Sequence, residues 1–384
     1  MQYELILTGK FKKSLKLARK RGLDISLLED IVTMLQNNIP LEEKYRDHEL
    51  KGKYQGFREC HIQPDWLLIY LKEDGILTLT LVDTGTHADF DSTLLDTYGN
   101  QEGEGFNYHY QAHGYHPLLC YDGLTGDLLK AELRDGTMYC SKEADIFMKS
   151  LLDEFLCDFP DLLLYFRGDS GFASPDLYEV LEDKNCKYAI RLKENAKLRE
   201  LAEEENRALY RATRFNQVDY AVEYGEFLYQ AGSWSHPRRV VFKIEKPYGQ
   251  MIHLYTFVVT TLEMEPYQVI RFYCGRGKME NFIKEGKRGF DFASVSSSSK
   301  LVNANRLLIH ALAYNLFNWF RRLALAFNMR KQRIDTIRLK LLKIAARVVK
   351  SARYKYFKLC SSCPYKKEFY ETLENIRNLR PQLE

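Results

Sequence analysis

Apolar and polar residues alternate over residues 3–8, the pattern of a strand. The period then changes. Phe11, Leu15, Leu17 and Ala18 stand among lysines, and Leu27, Leu28, Ile31, Val32 and Leu35 recur at helical spacing. Two helices are therefore predicted within 10–37, ended by Asn37, Asn38 and Pro40. Three strand-like runs follow at 56–61, 66–72 and 76–82, the last two joined by the short turn Glu73-Asp74-Gly75. Strand, two helices and a meander make an α+β domain over residues 1–88. From Asp91 onward the texture differs. Strands are predicted at 116–121 and 126–133, a helix at 142–156, and a short, almost wholly apolar strand at 162–167, suited to burial on both faces. That strand runs into Gly168-Asp169-Ser170-Gly171, and a helix over 175–183 leads to a strand at 188–192. Residues 195–265 are strand-biased, with Gly225, Gly232, Pro237 and Pro247 as breaks, and read as a β-rich insertion. Helical periodicity resumes near residue 266 and gives a helical C-terminal region over 301–384.

A length of 384 residues with 45% hydrophobic content allows two or three domains with packed cores and excludes a disordered chain. The start, MQYELILTGKFKK, has no apolar stretch of the kind a secretory signal needs, so a cytoplasmic protein is expected. The most apolar segment, 307–327, contains His310, Asn315, Asn318, Arg321 and Arg322, which argues for a buried helix and against a membrane partner. Eight cysteines are scattered without a framework and read as reduced thiols; Cys360 and Cys363 have zinc-knuckle spacing but no second pair nearby. Charge changes the picture more. Residues 10–21 hold seven Lys/Arg and no acid, and 321–367 hold fifteen Lys/Arg with Asp335 as the one acid. Two one-sided basic blocks suit binding to a phosphate backbone.

The first domain carries candidate chemistry in Tyr45-Arg-Asp-His48-Glu-Leu-Lys-Gly, Phe57-Arg-Glu-Cys-His61, Pro64-Asp65-Trp66 and Thr84-Gly-Thr-His87. Metal-free RNA cleavage needs a base, an acid and a cation, and histidines can supply all three near neutral pH. These segments resemble the YafQ branch of the RelE-like toxins, ribosome-dependent mRNA interferases of bacterial toxin–antitoxin pairs. The resemblance implies a toxin-like site of His48, His61, Asp65, Trp66 and His87 that needs no cofactor, with mRNA on the ribosome and an antitoxin as partners. Two departures fall together: Asp83 stands where the family usually has Arg, and Phe90 comes one residue early.

The rest of the chain carries Tyr273, Arg276, Glu280 and Lys287 at fixed spacing, together with Asp91, the Gly99–Gly103 turn, Tyr165-Phe-Arg-Gly-Asp169 and the tail 343–358. This set resembles the Y-R-E-K pattern and the companion motifs of group 1 DDE transposases from bacterial insertion sequences, over about 89–384. The resemblance implies an α/β RNase H-like core, and DNA cleavage and strand transfer by two ions, Mg²⁺ or Mn²⁺, held by Asp91, Asp169 and Glu280. Hard ions favour such carboxylates, and two of them about 4 Å apart serve in-line phosphoryl transfer. Tyr273, Arg276 and Lys287 would be DNA-binding; Arg276 and Glu280 are i,i+4 neighbours if one helix carries both. The partners implied are DNA at transposon ends and target, bound by a homodimer. The toxin-like domain occupies the place of the DNA-binding region usual in such transposases. The alternative is a working mRNA interferase carrying a transposase passenger.

The two resemblances compete for residues 84–93. At about 3.3 Å per residue along a strand, His87 and Asp91 lie at most about 13 Å apart. One segment cannot close the toxin sheet and also start a transposase core. With Asp83 and Phe90 both irregular for the toxin, the larger domain is expected to keep the segment.

Overall fold

The structure, a computed structural model, describes residues 3–20, 23–45, 47–49, 56–63, 66–73, 76–83, 86–160, 162–213, 220–250 and 252–379. The chain separates into a unit over Met1–Glu280 and another over Asn281–Glu384.

In the first unit, β1 (Glu4–Leu7) precedes α1 (Gly9–Lys20) and α2 (Ile25–Gln36), and Asp24 caps α2 by accepting from the Ser26 N–H at 3.2 Å. The predicted strands form as β3 (Arg58–Gln63), β4 (Trp66–Glu73) and β5 (Ile76–Asp83), preceded by a two-residue β2 (His48–Glu49) too short to show in the pattern. The sheet order is β1-β5-β4-β3-β2, with β1 parallel to β5. Alternation decides its inner face. Trp66, Leu68 and Tyr70 of β4 meet Phe11, Ala18, Leu28, Ile31 and Leu35 of the helices in one core.

The next strand, β6 (Thr86–Ser92), leaves this sheet. It is followed by β7 (Leu95–Asp96), β8 (Gly105–Asn107) and β9 (Ala112–Tyr115), a small separate sheet that the sequence pattern did not predict. Then come β10 (Leu118–Asp122), β11 (Leu128–Glu132), α3 (Ala144–Asp158), β12 (Leu164–Gly168), α4 (Pro175–Asp183) and β13 (Lys187–Leu192). The segment read as a β-rich insertion begins with α5 (Ala196–Leu201) and α6 (Glu203–Thr213), and continues as β14 (Ala221–Tyr229), β15 (Arg238–Lys246) and β16 (Leu254–Thr260). These strands do not form a sheet of their own. They extend one eight-stranded sheet, ordered β11-β10-β6-β12-β13-β16-β15-β14. Periodicity shows that a segment is a strand, and says nothing of which edge it joins.

The sheet is buried on both faces, as the apolar run at 162–167 predicts. Phe90, Phe166, Tyr188 and Ile190 pack with Phe147 and Leu151 of α3 and Leu177 of α4. Tyr165, Ala189, Val241 and Val258 pack on the other face with Val269, Ile270 and Tyr273 of α7 (Pro266–Cys274). A 3-10 turn over Gly275–Gly277 follows, then α8 (Lys278–Gly289), which continues into the second unit.

The second unit contains α9 (Lys300–Leu323), the short α10 (Ile334–Ile337), β17 (Ala346–Ser351), β18 (Tyr354–Leu359) and α11 (Lys366–Asn378). Leu325, Ala326, Met329, Ile337 and Leu341 form its small core. Two expectations change here. The region is not wholly helical, because β17 and β18 pair as a hairpin. The apolar segment at 307–327 is only half inside: α9 buries Leu307, Ala311 and Tyr314 but exposes Leu308, Leu312 and Leu316. Among the described residues no helix is long and apolar enough to cross a membrane.

Candidate active site

The site grows from the pairing of β6 with β12. The two strands are parallel, with His87 opposite Tyr165, Asp89 opposite Arg167 and Phe90 opposite Gly168. Asp91 and Asp169 each follow the last of these pairs, so two carboxylates stand at the C-terminal ends of neighbouring strands. Loops at that end of parallel strands are the usual place for ligands in open α/β sheets. Asp91 Oδ1 accepts from the Ser92 N–H at 2.9 Å, and Oδ2 accepts from Arg276 Nη1 at 3.0 Å. Asp169 caps the following 3-10 turn, accepting from the Gly171 N–H at 2.8 Å. Burial pushes the Asp91 carboxyl up to about 6; Arg276 opposes the shift and Asp169 adds to it.

Three residues at this site went unnoticed in the sequence. The Tyr110 hydroxyl donates to the Ser92 carbonyl at 3.3 Å and is pushed up to about 12, first by burial and then by Asp91. Cys140 Sγ lies 3.3 Å from Ser92 Oγ, its thiol raised by burial and by Asp169. The third is Asp89, which forms a bidentate ion pair with Arg167 at 2.5 and 2.9 Å, both side chains fully buried. Arg167 also donates to the Phe272 carbonyl at 3.0 Å, so one guanidinium ties β6 and β12 to α7. Gly123 leaves the space for it, because a Cβ there would lie 2.3 Å from Arg167 Nη2. Alternation along 86–92 sets Asp89 with His87 and Asp91, opposite Ala88 and Phe90, and gives no sign that Asp89 is buried against Arg167.

The Y-R-E-K residues do not share one continuous helix. Tyr273 is buried on α7, Arg276 sits in the 3-10 turn, and Glu280 is exposed in the first turn of α8. Lys287 lies in the last turn of α8, in the second unit. Spacing along the chain does not show the tightening, which falls at Gly275 and Gly277. Arg276 reaches Asp91. Among the described residues, however, no three His, Cys, Asp or Glu side chains are grouped to hold one ion, so Glu280 does not complete a cluster with the two aspartates.

The toxin-like residues divide between two sheets. His48 and His61 remain neighbours, with ring centroids 6.4 Å apart and each Nε2 3.9 Å from Glu59. Trp66 is wholly buried in the helix–sheet core. Asp65 lies outside the described residues, as does the side chain of Asp83. His87 belongs to the eight-stranded sheet, 4% exposed, with its ring packed edge-on to Tyr165 at 5.1 Å and Phe272 at 5.4 Å. Helix α7 also reaches the first domain. Gln268 accepts from the Glu265 N–H through Oε1, which turns its amide nitrogen toward His48 Nε2 at 3.1 Å.

Comparison with known proteins accounts for both halves. A family model described as transposase DDE domain group 1 matches residues 86–381. The chain belongs to this transposase family. A second family model, the YafQ bacterial toxin of type II toxin–antitoxin systems, matches residues 3–92, so the transposase carries a toxin module at its start. The mRNA interferase toxin YafQ of Escherichia coli (strain K12) is 42% identical over 89 residues, 23% of this chain and 95% of the toxin. The crystal structure of the E. coli DinJ–YafQ toxin–antitoxin complex matches at 38% identity and TM-score 0.21, covering 21% of this chain and 91% of that one. A piggyBac transposase in a synaptic complex with hairpin DNA matches at 13% identity and TM-score 0.42, covering 63% of this chain and 48% of that one. The two family matches overlap over 86–92, the residues of β6.

Proposed function

We propose that the chain cleaves and transfers DNA strands for an insertion sequence through Asp91, Asp169 and Glu280, and that its toxin module does not cleave mRNA. The observation that carries the first part is the pair of carboxylates at the ends of β6 and β12, with Asp91 raised by burial beside Asp169. The strand order β11-β10-β6-β12-β13, with β6 parallel to β12 and antiparallel to β10, supports an RNase H-like reading of the core.

The transposase family works with divalent metal. The donor set fits Mg²⁺ or Mn²⁺: hard cations take carboxylate oxygens, and Asp91 is buried beside a second carboxylate, Asp169. Asp91 and Asp169 would hold it, and Glu280, in the first turn of α8, would be the third acid. When bound, such ions polarise the phosphate and activate water. The chain's own contribution is positional. Arg276 is already fixed at Asp91, where a guanidinium can meet a phosphate oxygen, and Tyr273 anchors its turn against the sheet. Exposed Glu280 closes on the pair through the glycine-flanked turn at 275–277. In the full chain, Asp91→Asn, Asp169→Asn and Glu280→Gln should each lower Mg²⁺- or Mn²⁺-dependent nicking of duplex DNA by about a hundredfold or more. Unchanged nicking by Asp169→Asn would overturn the assignment.

A second reading, an mRNA interferase with antitoxin and ribosome as partners, is favoured by the His48–His61 pair and by the identity to YafQ. It requires His87, which lies in the other sheet, and His48, whose Nε2 faces the Gln268 amide nitrogen at 3.1 Å. RNA cleavage that survives EDTA would support it; DNA nicking that EDTA abolishes supports the first.

A further inference from the structure

The hairpin β17–β18 has no part in the chemistry above. Six pairs register it, from Ala346 opposite Leu359 to Ser351 opposite Tyr354, and a two-residue turn with left-handed Ala352 (φ 48°) closes it. At about 3.3 Å per residue the ribbon is about 20 Å long. Both faces are open: Val348, Tyr354, Tyr356 and Phe357 are 50–68% exposed. A lone two-stranded ribbon is marginal in water, so one with no covering layer and this many exposed aromatics wants a partner.

Opposed residues of an antiparallel pair share a face. One face carries Arg347 beside Lys358, Val349 beside Tyr356, and Tyr354 at the tip; the other carries Val348 beside Phe357 and Lys350 beside Lys355. With Arg353 in the turn, the ribbon holds five cations and no acid, and none of the five forms an ion pair among the described residues. A major groove about 12 Å wide admits a two-stranded ribbon, phosphates line both its walls, and arginine and lysine donors match guanine edges on its floor.

We infer that β17–β18 is a DNA-reading ribbon that enters the major groove with the Arg347, Tyr354, Tyr356 and Lys358 face toward the bases. Lys350, Arg353 and Lys355 contact the flanking phosphates. This rests on the transposase reading, and it gives the ribbon a role in holding DNA.

The test uses the full chain in EDTA, where binding is separated from cleavage, and a labelled duplex at several salt concentrations. R347A/Y356A/K358A should weaken binding roughly tenfold or more, and K350A/K355A should reduce the salt slope by about 0.9 for each phosphate no longer neutralised. In the parent complex, guanine N7 should be protected from methylation, since that atom lies in the major groove. Circular dichroism of each variant should match the parent, because the ribbon is outside the unit's core. Equal affinity and slope in both variants, or N7 atoms left open in a bound complex, would sink the ribbon. If the parent and the ribbon variants nick DNA equally well with metal present, the transposase reading stands and the ribbon does not. A parent that neither binds nor nicks overturns both.

Discussion

The Asp91 carboxylate, proposed above as a metal ligand, is costly to bury. A carboxyl whose folded value is raised to about 6 is penalised when ionised. Protons are therefore bound more tightly by the folded state than by the unfolded one. The penalty is complete above about pH 6 and disappears as the pH falls below the ordinary value of about 3.9. Asp91→Asn should consequently raise the stability of the metal-free chain near pH 8 by on the order of 1–3 kcal/mol, with no gain near pH 4. Urea unfolding in EDTA at the two pH values measures this; destabilisation at the higher pH would refute the role of burial. Asp91 and Asp169 stand in segments that the family resemblance singles out in the sequence. Tyr110 and Cys140 do not, and each reaches Ser92 only through folding, across 18 and 48 residues.

At the scale of elements, the decisive contact is the register of β6 on β12. It brings Asp89 and Arg167 together in a dry interior, and the same guanidinium holds the carbonyl of Phe272, next to Tyr273. Removing one partner of a buried pair leaves a charge without compensation. Arg167→Met is expected to cost about 3–5 kcal/mol, while Asp89→Leu with Arg167→Met should recover most of that loss. Denaturant unfolding of the single and double variants checks it; equal losses in both would mean that the pair does not act as a unit. The 3-10 turn between α7 and α8 matters in the same way. It sets Arg276 at Asp91 and leaves Glu280 at the surface, a separation that i,i+4 counting on one helix could not foresee.

For the whole molecule, one strand serves where two families claim it. β6 is hydrogen-bonded into the eight-stranded sheet between β10 and β12, with Ala88 and Phe90 buried in that core. The toxin module keeps its helices and five-stranded sheet but has His87 in another sheet and Gln268 at His48. Expression of the full chain without an antitoxin should therefore leave bacterial growth close to normal. Growth curves after induction provide the measurement. Strong arrest that is relieved by His87→Ala but not by Asp169→Ala would reverse the assignment.

What the sequence alone determined was local or covalently spaced. It held two helices and a meander at the start, a doubly buried strand before Asp169, the Y-R-E-K residues, and a conflict at 84–93. Each of these depends on neighbours in the chain, through side-chain periodicity or motif spacing. The tertiary structure decided which sheet receives β6, that β14–β16 extend that sheet, that Asp89 finds Arg167, and that the basic tail holds a ribbon. Strand pairing depends on which edge offers the larger buried surface, a comparison between distant segments that period-two alternation cannot express. The chain holds one copy of β6, and both faces of the larger sheet are covered by helices, so burial there is greater than at the edge of a meander.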